Sequence, residues 1–214
     1  HDGLDIAKPI AVIVDVVGEW IADDCTFSTK ALFARNALRA ACFTRPTCCA
    51  TIATGRLRRA ARCPRPHGCS APASGQFAAR GLTIVLADVE ASALEIARAS
   101  LASRGFVVHA HVCDVADASA VDELARAVIA RCGKVDLLVN NAGVGGRLGP
   151  LWDSQPGDWT WTFGVNVFGV ANGVRSFLPA MLQRRTGHVV NVASLAGLTA
   201  PPFLGPYVAS KHAV

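Results

Sequence analysis

The segment GLTIVLADVEASALEIARASLASRGFVVHAHVCDV (residues 81–115) decides the fold class. It begins with a run of apolar and β-branched residues that is typical of a buried strand. A stretch with Leu94, Ala97 and Leu101 at helical spacing follows and ends in a glycine, and a second apolar run occupies residues 106–115. A strand, a helix and a strand in this order predict two parallel strands joined by a crossover helix.

The same alternation continues toward the end of the chain. KVDLLVNNAG (134–143) and GHVVNVASLAG (187–197) predict two more strands, with helices that begin at Asp117 and at about Gln155, the latter ending near Arg185. The helix that Asp117 caps has an apolar stripe made of Val121, Leu124, Ala125, Val128 and Ile129. We therefore predict an α/β fold whose parallel sheet is covered by helices on both faces, with ligands at the carboxyl ends of the strands.

Residues 1–76 show no comparable order. IAVIVDVVGEWIA (10–22) is compatible with a strand or a short helix, and nothing downstream is matched to it. The stretch from 43 to 76 scatters arginine, proline and cysteine without the period of either element. We therefore leave residues 1–76 unassigned and expect them to be poorly structured or translated out of the ancestral reading frame.

Composition favours a protein without membrane spans. Apolar residues make up 51% of the 214 residues, but Asp15 interrupts the best apolar run well short of the roughly 18–20 residues that a span needs. The net charge is +5, and residues 51–70 contain five arginines and no acidic residue. The eight cysteines show no disulfide-framework spacing, and no secretory signal pattern is present. A reducing, cytoplasmic environment is therefore expected.

The only tyrosine, Tyr207, stands four residues before Lys211. On a helix these positions share one face about one turn apart, so a phenol and an ammonium can share a site. A free phenol has a pKa near ~10, and a nearby positive charge favours its ionised form. The pair is suited to proton transfer, although an isolated pair with this spacing is more often a solvated helix face.

Four motifs together resemble the short-chain dehydrogenase/reductase family. NNAG (140–143), VNVFGV (165–170), NVASLAG (191–197) and YVASK (207–211) have the order and spacing of that family, at strand ends or on the expected helices. The resemblance covers residues 77–214, which we assign to a partial NAD(P)-binding domain. It implies a Rossmann-like, doubly wound sheet of strand order 3-2-1-4-5-6-7. It also implies an oxidoreductase that interconverts a secondary alcohol and a ketone.

The resemblance assigns catalytic roles to four residues. Tyr207 exchanges the proton of the substrate hydroxyl, and Lys211 favours the phenolate and hydrogen-bonds the nicotinamide ribose. Ser194 holds the substrate oxygen. Asn166 positions a water that relays the proton outward. Taken alone, the serine would more often cap a strand end, and the asparagine would more often be a helix-surface amide.

The expected cofactor is NAD rather than NADP. Asp88 ends the first orderly strand, where a carboxylate can accept both ribose hydroxyls of an adenosine and would repel a 2′-phosphate. Alternatively, Asp88 caps the helix that follows. By resemblance, Asp114 and Val115 face the adenine. The remaining expected cofactor-binding residues are Asn141, Ala142, Gly143, Tyr207 and Lys211.

The sequence departs from the family in two places. The family's T-G-x-x-x-G-x-G loop, on which the pyrophosphate rests, is represented only by ATIATG (50–55). GVGGRLG (143–149) has Leu148 where G-x-G-x-x-G needs its third glycine, so we interpret it as a mobile loop near the active site. The family's C-terminal substrate lobe has no counterpart after Lys211. We expect such a chain to bind NAD poorly. One hypothesis is that APASG (71–75) hides a glycine loop in another frame, which the encoding DNA would reveal.

Two alternatives remain from other functional classes. The chain could be an inactive family fragment that acts as a binding or scaffold piece, which an NADH titration would test. CPRPHGC (63–69), with Cys48 and Cys49, could bind zinc beside an arginine-rich nucleic-acid contact, but its spacing fits no standard zinc pattern. We therefore predict no metal, no nucleic-acid partner and no membrane partner. The expected partner is a small alcohol or ketone, and the family is often homo-oligomeric.

Overall fold

The computed structural model describes residues 8–14 and 73–214. The strands are β1 (Ile10–Val14), β2 (Thr83–Asp88), β3 (Val108–Val112), β4 (Leu137–Asn140) and β5 (His188–Asn191). The α-helices are α1 (Ala73–Ala78), α2 (Ala91–Ala102), α3 (Ala118–Cys132), α4 (Pro156–Phe163), α5 (Gly169–Arg184) and α6 (Gly205–Ala213). A π-helix covers Gly164–Phe168, and 3₁₀ helices cover Leu151–Asp153 and Leu195–Gly197.

The five strands form one parallel sheet in the order β3-β2-β1-β4-β5. This order reproduces the first five positions of the expected doubly wound topology. Asp117 caps α3 by accepting a hydrogen bond from the Ser119 nitrogen at 2.8 Å, and Gly133 ends that helix with a φ of 74°. The α/β class predicted from the alternating pattern is therefore confirmed.

The central strand β1 comes from the part of the chain that the sequence left unassigned. All five of its residues are buried, and it pairs with β2 through Ile10 and Thr83 and with β4 through Val14 and Asn140. The strand interpretation of IAVIV is therefore right, and the expectation that nothing downstream is matched to it is wrong. A strand buried on both faces has no alternation to reveal its partners. The segment ATIATG lies outside the described residues.

Alternate residues of β1 face two separate cores. Val12 packs into the cluster on the side of α3 and α5, where Phe177 is fully buried. Ile13 packs into the cluster on the side of α1 and α2, which includes Leu94. Because successive strand side chains point to opposite faces, this short segment contributes to both helix layers.

Two boundaries differ from the sequence prediction. Helix α1 runs through Phe77, so the orderly part of the chain begins before that residue. The long helix expected from about 155 to 185 is divided by the π-helix, at whose end the Gly169 nitrogen donates to the Gly164 oxygen. A Cβ on Gly169 would lie 2.7 Å from Val115 Cγ2, so this glycine lets the helix approach the end of β3 closely.

Cys113 and Cys132 are buried, unoxidised thiols. Burial, followed by the nearby Asp114 and Asp117 carboxylates, raises the pKa of the Cys113 thiol to about 11. Within residues 8–14 and 73–214, no helix is long and apolar enough to cross a membrane. That same part of the chain has no group of three or more metal-binding side chains. The Cys48, Cys49 and 63–69 candidates lie outside it.

Candidate active site

The carboxyl ends of the central strands meet at one edge of the sheet. Asn140 ends β4, and its Nδ2 donates to Asn191 Oδ1 at 2.8 Å, which joins β4 to β5. The Asn141 nitrogen donates to the Val14 oxygen at 3.2 Å, which joins the same edge to β1. Helix α5 comes so close at Gly173 that a Cβ there would overlap Asn140 Oδ1. The NNAG turn is therefore held by β1, by β5 and by helix α5.

Helix α6 brings Tyr207 and Lys211 to this edge. The Lys211 Nζ donates to the Val192 oxygen at 3.0 Å and lies 5.9 Å from the centre of the Tyr207 ring. A Cβ on Gly143 would lie 3.2 Å from the same Nζ. On the other side, Gly197 packs so closely on the Lys211 carbonyl that it leaves no space for a side chain. The lysine is thus buried to 6% exposure, with its ammonium beside the phenol.

Asn166 is fully buried in the π-helix and holds three elements together. Its Oδ1 accepts from the Val144 nitrogen at 2.8 Å, and its Nδ2 donates to the Val144 oxygen at 3.0 Å. The Nδ2 also donates to Ser210 Oγ at 2.8 Å, and that serine donates to the Tyr207 carbonyl at 2.7 Å. The interpretation of Asn166 as a helix-surface amide is therefore wrong. Since both amide hydrogens are used within the protein, this nitrogen has none left for a water.

Ser194 follows β5 and caps the 3₁₀ helix Leu195–Gly197. Its Oγ accepts from the Ala196 nitrogen at 3.2 Å, and the residue is half-buried. The capping role weighed from the sequence is therefore present. Accepting this bond uses an oxygen lone pair and leaves the hydroxyl hydrogen to be donated, so capping is compatible with holding a substrate oxygen.

The adenosine-side candidates are held by local turns. Asp88 is buried at the end of β2, and its Oδ1 accepts from the Glu90 nitrogen at 2.8 Å. Asp114 is exposed after β3, and its Oδ1 accepts from the Ala116 nitrogen at 2.9 Å. Helix α2 has Glu90 as its N-cap without a side-chain capping bond, so the alternative that Asp88 caps this helix is wrong. Both aspartates lie at the edge of the sheet to which α6 brings Tyr207 and Lys211.

Val115 is buried beside these aspartates. Its carbonyl accepts from Asn172 Nδ2 at 2.9 Å, which ties the turn after β3 to helix α5. Ala142 and Gly143 follow β4 and are half-buried. The bare backbone at Gly143 provides the close approach that a dinucleotide needs. The described residues thus fit the adenosine and nicotinamide ends of such a cofactor, while the residues that follow Val14 lie outside the described part.

The glycine-rich segment 143–149 packs against Lys211, Asn166 and Thr162. Gly146 has a φ of 68° and faces Thr162, whose buried Oγ1 has no hydrogen-bond partner. The Gly149 nitrogen donates to the Phe203 oxygen at 2.9 Å. These contacts and the two hydrogen bonds between Asn166 and Val144 hold the segment beside Asn166 and the start of α6, and its mobility stays a prediction.

Ser210 and Val144 were missed in the sequence analysis. Ser210 stands three residues after Tyr207 and is therefore on the same helix face, so the i, i+3 spacing could have identified it. Val144 takes part only through its backbone, for which a side-chain pattern gives no signal. The π-helix that places Asn166 was also missed, although Gly164 and Gly169 stand at its two ends.

Residues 67–214 match the family model described as short chain dehydrogenase. Among curated proteins, "Probable oxidoreductase EphD" of Mycobacterium tuberculosis is 38% identical over 138 residues, which are 64% of this chain and 23% of that protein. "C alpha-dehydrogenase" of a Sphingobium species is 38% identical over 150 residues, which are 68% of this chain and 49% of that protein. This chain thus spans half or less of the length of these relatives.

Solved structures of similar fold include complexes with either cofactor. A short chain dehydrogenase/reductase from Burkholderia phymatum in complex with NAD has a TM-score of 0.63 and 49% identity, covering 64% of this chain and 49% of that one. A metagenomic short-chain oxidoreductase in complex with NADP has a TM-score of 0.63 and 32% identity, covering 65% of this chain and 63% of that one. The comparisons therefore do not favour NAD over NADP.

Proposed function

Because this chain belongs to the short-chain dehydrogenase/reductase family, we propose that it carries the reacting centre of an NAD(P)-dependent oxidoreductase. The proposed reaction interconverts a secondary alcohol and a ketone. One observation carries the proposal: the buried Lys211 ammonium lies 5.9 Å from the centre of the Tyr207 ring, at the carboxyl edge of a parallel sheet. Ligands of such sheets bind at this edge.

Each reacting residue has a defined task. Tyr207 accepts the proton of the substrate hydroxyl in oxidation and returns it in reduction. Lys211 places a positive charge where the phenolate forms, in a setting that little water reaches. Ser194 donates its hydroxyl hydrogen to the substrate oxygen. The bound nicotinamide supplies the chemistry of accepting or returning a hydride at the same carbon.

Asn166 acts as a positioning residue in this proposal. Its amide clamps both backbone groups of Val144 and reaches the catalytic helix through Ser210. The predicted proton relay through a water is retained as part of the proposal. With both amide hydrogens engaged, Asn166 can contact that water only through its Oδ1, which accepts one bond from Val144 and has a second lone pair.

Substitution of Tyr207 tests the reaction. Tyr207→Phe removes the proton-transferring oxygen and keeps the ring, so turnover should fall about 10²–10⁴-fold. The measurement is NADH formation at saturating alcohol, with NADH binding followed by fluorescence in both variants. Normal turnover by Tyr207→Phe would refute the mechanism. Binding of NADH without turnover by the unaltered chain would favour the alternative of a non-catalytic binding piece.

Asp88 supports NAD as the preferred cofactor. A buried carboxylate at the end of β2 would meet the ribose hydroxyls of an adenosine, whereas a 2′-phosphate would bring two negative charges together. Asp88→Ser should therefore shift the ratio of NAD to NADP affinity by about tenfold toward NADP. Dissociation constants for both cofactors measure this, with Glu123→Ser, which removes an exposed carboxylate on α3, as the control. An unchanged ratio would remove the argument for NAD.

The remaining parts of the proposal concern partners and location. The substrate is a small alcohol or ketone, and no nucleic-acid or membrane partner is included. Homo-oligomerisation and a cytoplasmic location are adopted from the family resemblance and from the cysteine usage of the sequence. Sedimentation of the purified chain tests the first of these directly.

A further inference from the structure

Six exposed apolar side chains lie on two segments next to the reacting centre. We call them the apolar rim: Leu148, Leu151, Trp152, Leu195, Leu198 and Phe203. Their exposed fractions range from 39% at Leu195 to 84% at Trp152. Large apolar side chains exposed together commonly indicate a binding surface, whereas single ones need no explanation.

The two segments of the rim are joined to each other. The Gly149 nitrogen donates to the Phe203 oxygen at 2.9 Å, which links the loop after β4 to the loop after β5. The Leu151 side chain packs against Gly205 so closely that a Cβ there would overlap it. The segment that carries Leu148, Leu151 and Trp152 is therefore joined to the segment that ends at Phe203.

The second segment of the rim runs along the chain between two residues of the proposed reacting centre, Ser194 and Tyr207. Leu195 directly follows Ser194, which caps the 3₁₀ helix on which Leu195 lies. Phe203 stands four residues before Tyr207, at the entry to α6. The rim therefore begins where the proposed function places the substrate oxygen and extends away from it. A carbon skeleton attached to the reacting carbon would meet this surface first.

The rim offers few groups that could bind a hydroxyl-rich substrate. In residues 147–153 and 195–203 the only charged side chains are Arg147 and Asp153. The Thr199 hydroxyl already donates to the Leu195 oxygen at 3.0 Å. Sites that select polar substrates form hydrogen bonds with the substrate's hydroxyl groups. They reject analogues that lack these hydroxyls, because polar groups of the site would then be left unpaired.

We propose that the apolar rim binds the hydrocarbon skeleton of an uncharged secondary alcohol or ketone, and that polyols and sugar acids are poor substrates. This assignment rests on the proposed function, because it takes Ser194 and Tyr207 as the point at which the substrate oxygen is held. The rim then contributes affinity in proportion to the apolar area that it covers.

A series of alcohols tests the proposal through turnover. With 2-butanol, 2-hexanol and 2-octanol, kcat/KM should rise by about fourfold for each methylene group that the rim buries, and xylitol should react poorly. Leu198→Ser should flatten this dependence on chain length. Ile96→Ser, which alters an apolar side chain on α2 with 72% exposure, should leave it unchanged. Equal or better turnover of xylitol would overturn the proposal.

A binding experiment separates this proposal from the proposed function. Titration with 2-octanone in the absence of cofactor involves no redox step and is followed by tryptophan fluorescence. The signal should saturate, and it should be lost in Trp152→Phe, because Trp152 is the tryptophan on the rim. Saturable binding without any turnover would refute the proposed function and support the rim. Absence of saturable binding would overturn the rim, whatever the turnover.

Sedimentation of the same variants tests whether a second copy of this chain, instead of a substrate, binds the apolar rim. The proposal expects Leu198→Ser and the unaltered chain to have equal mass in solution. A change of mass in Leu198→Ser, together with an unaltered dependence on alcohol chain length, would overturn the proposal in favour of an interface between copies.

Discussion

Strand β4 has a polar cluster at each end, and the two clusters differ in how their charges are held. At the amino end, Asp136 accepts from the Ile10 nitrogen at 3.0 Å and pairs with Lys134 at 3.2 Å and Arg184 at 2.7 Å. At the carboxyl end, the Lys211 ammonium donates to a carbonyl oxygen and lies beside a phenol. A carboxylate surrounded by donors stabilises the fold, whereas a buried ammonium beside an ionisable hydroxyl is suited to chemistry.

The two clusters also tie the sheet together differently. Asp136 joins β1 to β4 and to the end of α5, and Arg184 additionally donates to the Val135 oxygen at 2.9 Å. At the carboxyl end of β4, hydrogen bonds join Asn166 to Val144 and to Ser210. They orient helix α6, which carries Tyr207 and Lys211. The comparison implies that substitutions at the amino end should change stability, and that substitutions at the carboxyl end should change turnover.

Lys211→Met gives the largest expected effect. The variant keeps an unbranched stem of similar volume and removes the ammonium beside Tyr207, so turnover should fall about 10³-fold, or roughly 4 kcal/mol. Stability should change little, because the loss of the hydrogen bond to the Val192 oxygen offsets the gain from no longer burying a charge. Steady-state kinetics and urea unfolding of the same preparation measure both. Loss of stability with unchanged turnover would make Lys211 a structural residue and end the contrast between the two clusters.

Asp136→Asn should show the opposite behaviour. Burial alone would raise the pKa of Asp136, but the hydrogen bonds that it accepts outweigh this and hold the pKa below its ordinary value. Asparagine keeps the shape but loses the charge, so unfolding at pH 7 should be easier by about 2 kcal/mol. Turnover per folded molecule should not change.

The pH dependence of unfolding sharpens the test on Asp136. Because its pKa is lower in the folded state, its contribution is complete above the unfolded pKa of ~4 and is lost as pH falls through the folded value. The unaltered protein should therefore approach the stability of Asp136→Asn in acid. Glu123→Gln, which removes an exposed carboxylate on α3, is the matched control. A constant difference between the two proteins from pH 7 to pH 3 would contradict the assignment.

The sequence predicted the parts of this molecule that depend on local spacing. The i, i+4 relation of Tyr207 and Lys211 and the cap at Asp117 are encoded within a few residues, and both are found in the structure. The pairing of β1 was not predictable in this way. Its ladder partners Thr83 and Asn140 lie far along the chain, and a strand buried on both faces has no alternation to identify them.

The roles of the candidate site residues stay predictions, and the contacts that hold these residues in place were not predicted. Asn166 was chosen by resemblance, yet its burial depends on a π-helix, and helical periodicity does not reveal a one-residue shift. Asp88 was given two alternative roles; its carboxylate accepts from the Glu90 nitrogen in a local turn and does not cap α2, and its role in cofactor binding stays a prediction. Contacts made through backbone groups, such as those of Val144, cannot be predicted from the types of side chain in the sequence.

Ser210→Ala gives the smallest expected effect and tests how the Asn166–Ser210 hydrogen bond supports the cluster at the carboxyl end of β4. The variant leaves one Asn166 amide hydrogen without its acceptor in a buried site and frees the Tyr207 carbonyl, at a cost of about 1 kcal/mol. If the network orients the reacting helix, kcat should fall about fivefold while KM changes little, and Ser210→Thr, which keeps the hydroxyl, should recover it. Equal loss in both variants would mean that the site tolerates no added volume. A loss of stability without any change in kcat would place Ser210 with Asp136 among the residues that only hold the fold.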